Sequence, residues 1–268
     1  MEKQYNPEGS RLRRDQLELL NMLKIVAKIC KENNIPWWLE GGTLLGAARH
    51  KGFIPWDDDI DIALLKKDCN RLEKILSNYE SDEYVYHCMK TDTDYINVFG
   101  KFRRKRGQIQ SKSHRYAFYK WKGIGLDIFS IEKTSYFAAK LSSRIYSKLQ
   151  SFTLNIDNDY IRKGLIILIE LITFIFINPL LRLIGKINPK KEYHFTLGTG
   201  WSDKALYFEN IFPLSEISFE GEMMPAPKNI DAYLTNEYGN WREMPSKEEI
   251  KKSIHCQEYR EEIFGKDE

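Results

Sequence analysis

The chain has little that would export it or staple it together outside the cell. Its four cysteines, Cys30, Cys69, Cys88 and Cys256, lie far apart and form no CxxC pair. That spacing excludes a disulfide framework and a thiolate zinc site, and fits a reducing cytoplasm. The opening stretch, MEKQYNPEGSRLRRDQ, is polar and charged with no apolar h-region, so no secretory signal is expected. An excess of one charge is missing too. Lysines and arginines number 41 against 38 acids, a net charge of +3, which is too small to argue for a nucleic-acid partner. Neither an internal repeat nor a low-complexity linker interrupts the 268 residues, so a single domain is the simplest organisation. With 42% hydrophobic and 13% aromatic residues, the chain can bury a sizeable core.

Long uninterrupted apolar runs are also scarce. Residues 164–187, GLIILIELITFIFINPLLRLIGKI, are strongly apolar but carry Glu170, Asn178, Pro179 and Arg182. The uncharged run 171–181 is about half of the roughly 20 residues a spanning helix needs. Its flanks, Arg162, Lys163, Arg182, Lys186, Lys190 and Lys191, are basic. Those flanks suit a helix lying on an anionic leaflet, while the composition equally suits a buried core helix. The expected location is cytoplasmic, peripheral on the inner face of the cytoplasmic membrane if 164–187 touches lipid.

Periodicity outlines an α/β (α+β) chain. Leu17, Leu20, Leu23 and Val26 recur at helical spacing over 15–30, and Asn33, Asn34 and Pro36 end that helix. Trp37 to Glu40 read as a short strand, and Thr43 can cap a short helix over 43–50. A loop over 51–58 leads to a strand over 59–64 and a helix over 66–79. Further strands are expected at 98–102 and 124–130, around a basic, turn-like stretch. Residues 136–187 are mostly helical in pattern. The expected organisation is a core over 15–135, a helical insert over 136–190, and a C-terminal part, 191–268, that completes the site.

Chemistry concentrates in 41–62, GGTLLGAARHKGFIPWDDDIDI. Side chains two apart on a strand share a face, so Asp59 and Asp61 project together while Ile60 and Ile62 turn inward. Two adjacent carboxylates repel unless a cation sits between them, and hard oxygen ligands suit Mg²⁺ or Mn²⁺. Upstream, Gly41-Gly42-Thr43 lets the backbone approach a ligand, and the helix that follows offers its N-terminus to phosphate. A third carboxylate, Asp127, stands in GIGLDIF, where a lone charge on an apolar strand is costly without a cation. Should that strand lie beside 59–64, Asp127 completes a three-carboxylate site, holding metal or taking a proton. Such a centre suits phosphoryl or nucleotidyl transfer, which needs positioning and charge neutralisation.

These motifs resemble the LicD family of phosphotransferases, densely over 39–64, clearly over 123–130, and in patches to His255. The resemblance implies a nucleotidyltransferase fold: a small mixed sheet flanked by helices. It also implies transfer of phosphocholine from CDP-choline to a sugar of a bacterial surface glycan or its lipid-linked precursor, or, as in the fukutin group, use of other CDP-alcohols. By carry-over Gly42 and Thr43 match the phosphate loop, Asp59 and Asp61 the metal ligands, and Asp127 the third acid. Lys101 matches a family lysine on the preceding strand, and His255 becomes a site-lining candidate. The chain departs from the family at Asn240, where an acid is usual, and in the unusually basic run after Lys101.

Other residues carry weaker signals. Arg49 can grip phosphate in bidentate fashion. Lys101, Arg103 and Lys105 alternate and can share one face as a diphosphate clamp, and Trp37, Trp38 and Trp56 can stack on a base or pack in the core. Two rival readings accompany the transferase: a nucleotidyltransferase that moves NMP to a small molecule, protein or RNA, and a catalytically idle membrane scaffold. No nucleic acid is expected as a partner under the leading reading.

Overall fold

The computed structural model describes residues 5–109, 114–186, 192–199, 204–254 and 256–265. His255 therefore lies outside the described residues. In chain order the elements begin with α1 (Arg11–Glu32), β1 (Trp38–Leu39), α2 (Gly41–His50), β2 (Ile60–Leu65) and α3 (Lys66–Ser77). They continue with β3 (Tyr84–His87), β4 (Gly100–Arg104), β5 (Gly125–Lys133), α4 (Tyr136–Ser151) and α5 (Asp159–Leu171). A π-helical segment, Ile172–Ile177, joins α5 to α6 (Asn178–Lys186). Then come β6 (Glu192–Phe195), β7 (Leu206–Tyr207), α7 (Phe208–Ile211), β8 (Ser215–Phe219) and β9 (Glu222–Ala226). Last are α8 (Ile230–Tyr238), α9 (Lys247–Ser253) and α10 (Gln257–Phe264).

The expected mixed α/β architecture is what folds. One sheet runs β1-β2-β5-β4-β3, with β6 also on β5 and β7 on β6. Among the named strands of the described residues, β2 and β5 pair in parallel and the other pairs are antiparallel. Strand β5 is the spine. Its first half pairs with β4 from Gly125 to Ile128 and its last residues, Ile131 to Lys133, pair with β6. Alternation then does what the sequence pattern requires. Ile60, Ile62 and Leu64 share a face with their partners Leu126 and Ile128, all essentially unexposed, and the aspartates between them face the other way.

Helix α1 begins earlier than its apolar stripe suggests, because the Ser10 hydroxyl accepts from Arg13 N and caps it. Its buried stripe includes Leu12, Leu19, Leu23 and Val26. Hairpin β8–β9 turns at Glu220-Gly221, both with positive φ (51° and 81°), as a two-residue hairpin turn demands. The Glu220 carboxylate then binds Arg13 at 2.6 Å and Phe53 N at 3.1 Å, tying the hairpin to α1 and to the loop after α2. Burial in the core is not what the apolar segment shows. Asp159–Gly185 forms one continuous helical stretch, long and apolar enough to cross a membrane, and only 28% of its apolar 18-residue window is buried.

Candidate active site

Register assembles the site. Asp61 is the direct cross-strand partner of Asp127, and Asp127 is in turn the partner of Lys101 on β4. Beyond Lys101, His87 on β3 completes the row. Four side chains from four strands thus share one face of the sheet. The Lys101 ammonium lies 2.5 Å from Asp127 Oδ1, an ion pair largely screened from solvent. His87 is fully buried, its Nε2 2.8 Å from Asp92, and burial lowers its pKa.

Helix α2 brings the glycines against these carboxylates. Gly41 adopts φ +52°, and a Cβ there would stand 3.0 Å from Asp61 Oδ2 and 3.8 Å from the Tyr238 hydroxyl. At Gly42 a Cβ would lie 2.8 Å from Asp57 Oδ2. Both glycines therefore exist for close approach, although the groups that approach are aspartates. Thr43 is buried inside the helix, where its Oγ1 accepts from Asp61 N at 2.8 Å and fixes the start of β2. It is not the cap. That role falls to Glu40, whose side chain accepts from Gly41 N, from Trp38 Nε1 at 2.9 Å and from the Tyr233 hydroxyl at 2.6 Å. The positive end of α2 is thus ringed by carboxylates from Glu40, Asp57 and Asp61, which its dipole stabilises. A bare anion has no place there without a cation.

Electrostatics make the same point. Burial, then the charges of Asp59, Asp127 and Asp57, hold Asp61 well above the usual carboxylate range. Asp57 is raised by burial and by Asp59 and Asp58, and Asp58 is pushed up to about 7 by burial and Asp59. Asp127 is also raised, chiefly by burial, with Lys101 opposing. Oxygens of Asp57, Asp58 and Asp59 lie within 4.8 Å of one another. Asp59 is common to both groups: it repels Asp57 and Asp58 on the loop and Asp61 and Asp127 on the strands. Among the described residues, Asp57, Asp58 and Asp59 bring their oxygens close enough to form a donor set that a hard divalent cation fits, with Asp61 and Asp127 beside them.

Other sequence candidates go elsewhere. Arg49 sits at the far end of α2, about 12 Å along the helix from Gly41. It donates to the carbonyls of Trp241 and, at 2.8 Å, Glu243, clamping the C-terminal segment onto α2. Arg103 shares the face of Lys101 but is 1% exposed and donates to the Tyr116 hydroxyl and the Gly123 carbonyl, so it braces the sheet. All three tryptophans, Trp37, Trp38 and Trp56, are buried. Sequence reasoning missed Glu40, Asp57 and Tyr238 as members of the cluster. An acid directly before the glycine pair was the available signal for Glu40; Tyr238 arrives from almost 200 residues away and had none.

Residues 34–154 match the LicD/FKTN/FKRP nucleotidyltransferase domain, a span that contains every carboxylate of the row. The lipopolysaccharide cholinephosphotransferase LicD of Haemophilus influenzae is 28% identical over 269 residues, covering 92% of this chain and 97% of that protein. Residues 34–154 thus carry a LicD-family domain. An uncharacterised protein of Rickettsia prowazekii is 35% identical over 127 residues, 44% of this chain and 46% of the relative, so the chain spans less than half of that protein. Human ribitol 5-phosphate transferase FKRP is 40% identical over 52 residues, 19% of this chain and 10% of FKRP. The relatives with functional names are transferases of phosphorylated alcohols, which supports a phosphotransferase.

Proposed function

We propose that the chain transfers a phospho-alcohol, phosphocholine first among candidates, from a CDP-activated donor to a sugar hydroxyl of a surface glycan or its lipid-linked precursor. The observation that carries this reading is the row Asp61–Asp127–Lys101 beside the glycines that open α2. Asp59 and Asp61 would hold Mg²⁺ or Mn²⁺. When bound, the ion supplies charge neutralisation for the donor diphosphate and for the leaving phosphate. Because carboxylates ring the helix end, Lys101 and the residues that would hold the ion, rather than bare backbone amides, would face the donor phosphates.

Asp127 takes the hydroxyl proton. Its raised pKa suits a proton acceptor, and Lys101 fixes its orientation. The sugar oxygen bonds to the phosphorus bearing the alcohol, the bond from that phosphorus to the bridging oxygen breaks, and CMP leaves with the bridging oxygen. The product is a phosphodiester. Incubation with Mg²⁺ and CDP-choline labelled in choline or in cytidine tests the reading. The choline label is expected on the acceptor and the cytidine label in CMP. Cytidine on the acceptor would mean nucleotidyl transfer and would overturn it.

A further inference from the structure

The helical stretch Asp159–Gly185 carries its polarity inside out. From Tyr160 to Ile184, the exposed side chains are apolar apart from the Tyr160 hydroxyl and the Lys163 ammonium, which pairs with Asp159 at 3.0 Å. Ile161 is 62% exposed, Leu168 51%, Phe176 68% and Leu183 59%. The other polar side chains of the same stretch turn toward the protein. Arg162 is buried and bonds Asp94 at 2.9 Å, Asn178 accepts from Ser142 at 2.7 Å, and Arg182 pairs with Glu132 on β5 at 2.7 Å. Glu170, on the partly buried side, is pushed up to about 7 by burial. A surface helix in water shows the reverse pattern.

We propose that this face lies in the surface of an anionic lipid bilayer, with α5, the π-helical segment and α6 parallel to the membrane plane. Two observations select lipid over a protein partner. The 27-residue stretch presents an apolar stripe about 40 Å long. A protein interface of that extent carries roughly one hydrogen bond per 100–200 Å², and this face has almost nothing to donate or accept. Acyl chains ask for none.

Charge is the second observation. Helix α4, packed beside α5 and α6, holds Lys140, Arg144 and Lys148 and no acid. Residues 133–187 contain eight lysines and arginines against three acids, while the rest of the chain has 33 against 35. Arg162 and Arg182 are spent on their inward pairs with Asp94 and Glu132; each remaining basic group near an anionic leaflet adds about 1 kcal/mol. Lying on the membrane also suits the inward face. A span would carry the Arg162–Asp94 and Arg182–Glu132 pairs into hydrocarbon, where charge is costly.

The placement has a consequence for the site, and this part rests on the transfer reading. Arg182 anchors α6 to Glu132 on β5, five residues from Asp127. At about 3.3 Å per residue the carboxylate row stands roughly 17 Å from that anchor, within reach of an acceptor glycan carried on a membrane lipid.

The test uses the full chain without donor or acceptor. Co-sedimentation is measured with phosphatidylethanolamine–phosphatidylglycerol vesicles and with phosphatidylcholine vesicles. Binding is expected to the anionic vesicles, weakened by salt. The double variant Leu168→Glu/Phe176→Glu, at exposed positions, should bind at least about tenfold more weakly with an unchanged circular dichroism spectrum. The variant Arg144→Glu/Lys148→Glu should lose only the preference for anionic lipid. No binding to the anionic vesicles, or equal binding by Leu168→Glu/Phe176→Glu, would overturn the proposal. So would a stable dimer of the wild-type chain that this double variant dissolves into monomers. Since no substrate is present, failure here leaves the transfer reading standing, and failed transfer leaves this one standing.

Discussion

Asp61 and Asp127 stand opposite each other in the parallel pair β2–β5, with Lys101 bound to Asp127 from the next strand. Burial first, and then the charge of Asp59, make both carboxyls hold their protons more tightly than usual, with Lys101 opposing. Separate roles for the two should be separable by mutation. Asp61→Asn is expected to lower turnover by about 100-fold or more and to abolish Mg²⁺ binding, while Asp127→Asn loses turnover comparably but keeps Mg²⁺-dependent donor binding. Titration calorimetry beside rate measurement decides. Full turnover in either variant would remove that residue from the mechanism.

Divalent metal should stabilise the fold, and more so at alkaline pH. Asp57, Asp58, Asp61 and Asp127 all have raised folded-state pKa values, so the metal-free folded chain binds more protons than the unfolded one. Stability from these groups is present at low pH and falls as pH rises through the folded values. A cation that fills the cluster cancels this loss. At a concentration of about 100 times its dissociation constant, Mg²⁺ would add roughly 2.7 kcal/mol. Thermal melts with Mg²⁺ or a chelator, at mildly acid and mildly alkaline pH, should show a larger shift at the alkaline end. An equal shift at both would separate metal binding from the cluster.

Glu40 contributes a similar term that can be isolated. Burial pushes it from 4.5 up to about 7, so ionisation destabilises the fold as pH rises across that window. Glu40→Gln keeps the acceptor for Trp38 and Tyr233 and removes the charge. Its stability, measured by urea denaturation, should approach or exceed that of the wild type at the upper end of the window and fall below it at the lower end. A constant difference between the two proteins would refute a titrating Glu40.

Gly41→Ala tests the close approach at the start of α2. At φ +52° and 3.0 Å from Asp61 Oδ2, the added methyl costs backbone strain of about 1–2 kcal/mol and displaces the carboxylate. Both the denaturation midpoint and turnover should drop. Gly221→Ala, also at positive φ but with open space around it, should lower stability and leave turnover unchanged.

Arg49 distinguishes docking from donor binding. Its guanidinium holds the carbonyls of Trp241 and Glu243, so Arg49→Ala is expected to cost about 1–3 kcal/mol of stability with little change in KM for the donor. A large rise in KM at unchanged stability would return it to the phosphate site.

The local elements were largely legible before any coordinates. Apolar spacing marked α1 and α3, alternation marked β2 and β5, and the glycine pair marked the start of α2, because these patterns depend on residues close in the chain. Strand β3 and hairpin β8–β9 were not read, being short segments whose burial is created by distant partners. Arg49 and Arg103 looked like phosphate ligands because an exposed guanidinium and one spent on backbone carbonyls are the same letter in a sequence. Thr43 looked like a cap for the same reason, although its hydroxyl belongs to Asp61 N.

By itself, then, the sequence determined that Asp61 and its isoleucine neighbours would face opposite sides of a strand after a glycine-opened helix, since a strand's period of two is a property of the backbone; Asp59, expected on the same strand, precedes β2. Tertiary structure alone decided that Asp127 and Lys101 stand in the same row, that carboxylates rather than open amides line the helix end, and that the apolar helix faces outward. Those facts depend on strand register and on which surfaces find a partner. Both are settled by long-range packing, where a one-residue slip would have turned every carboxylate to the other face.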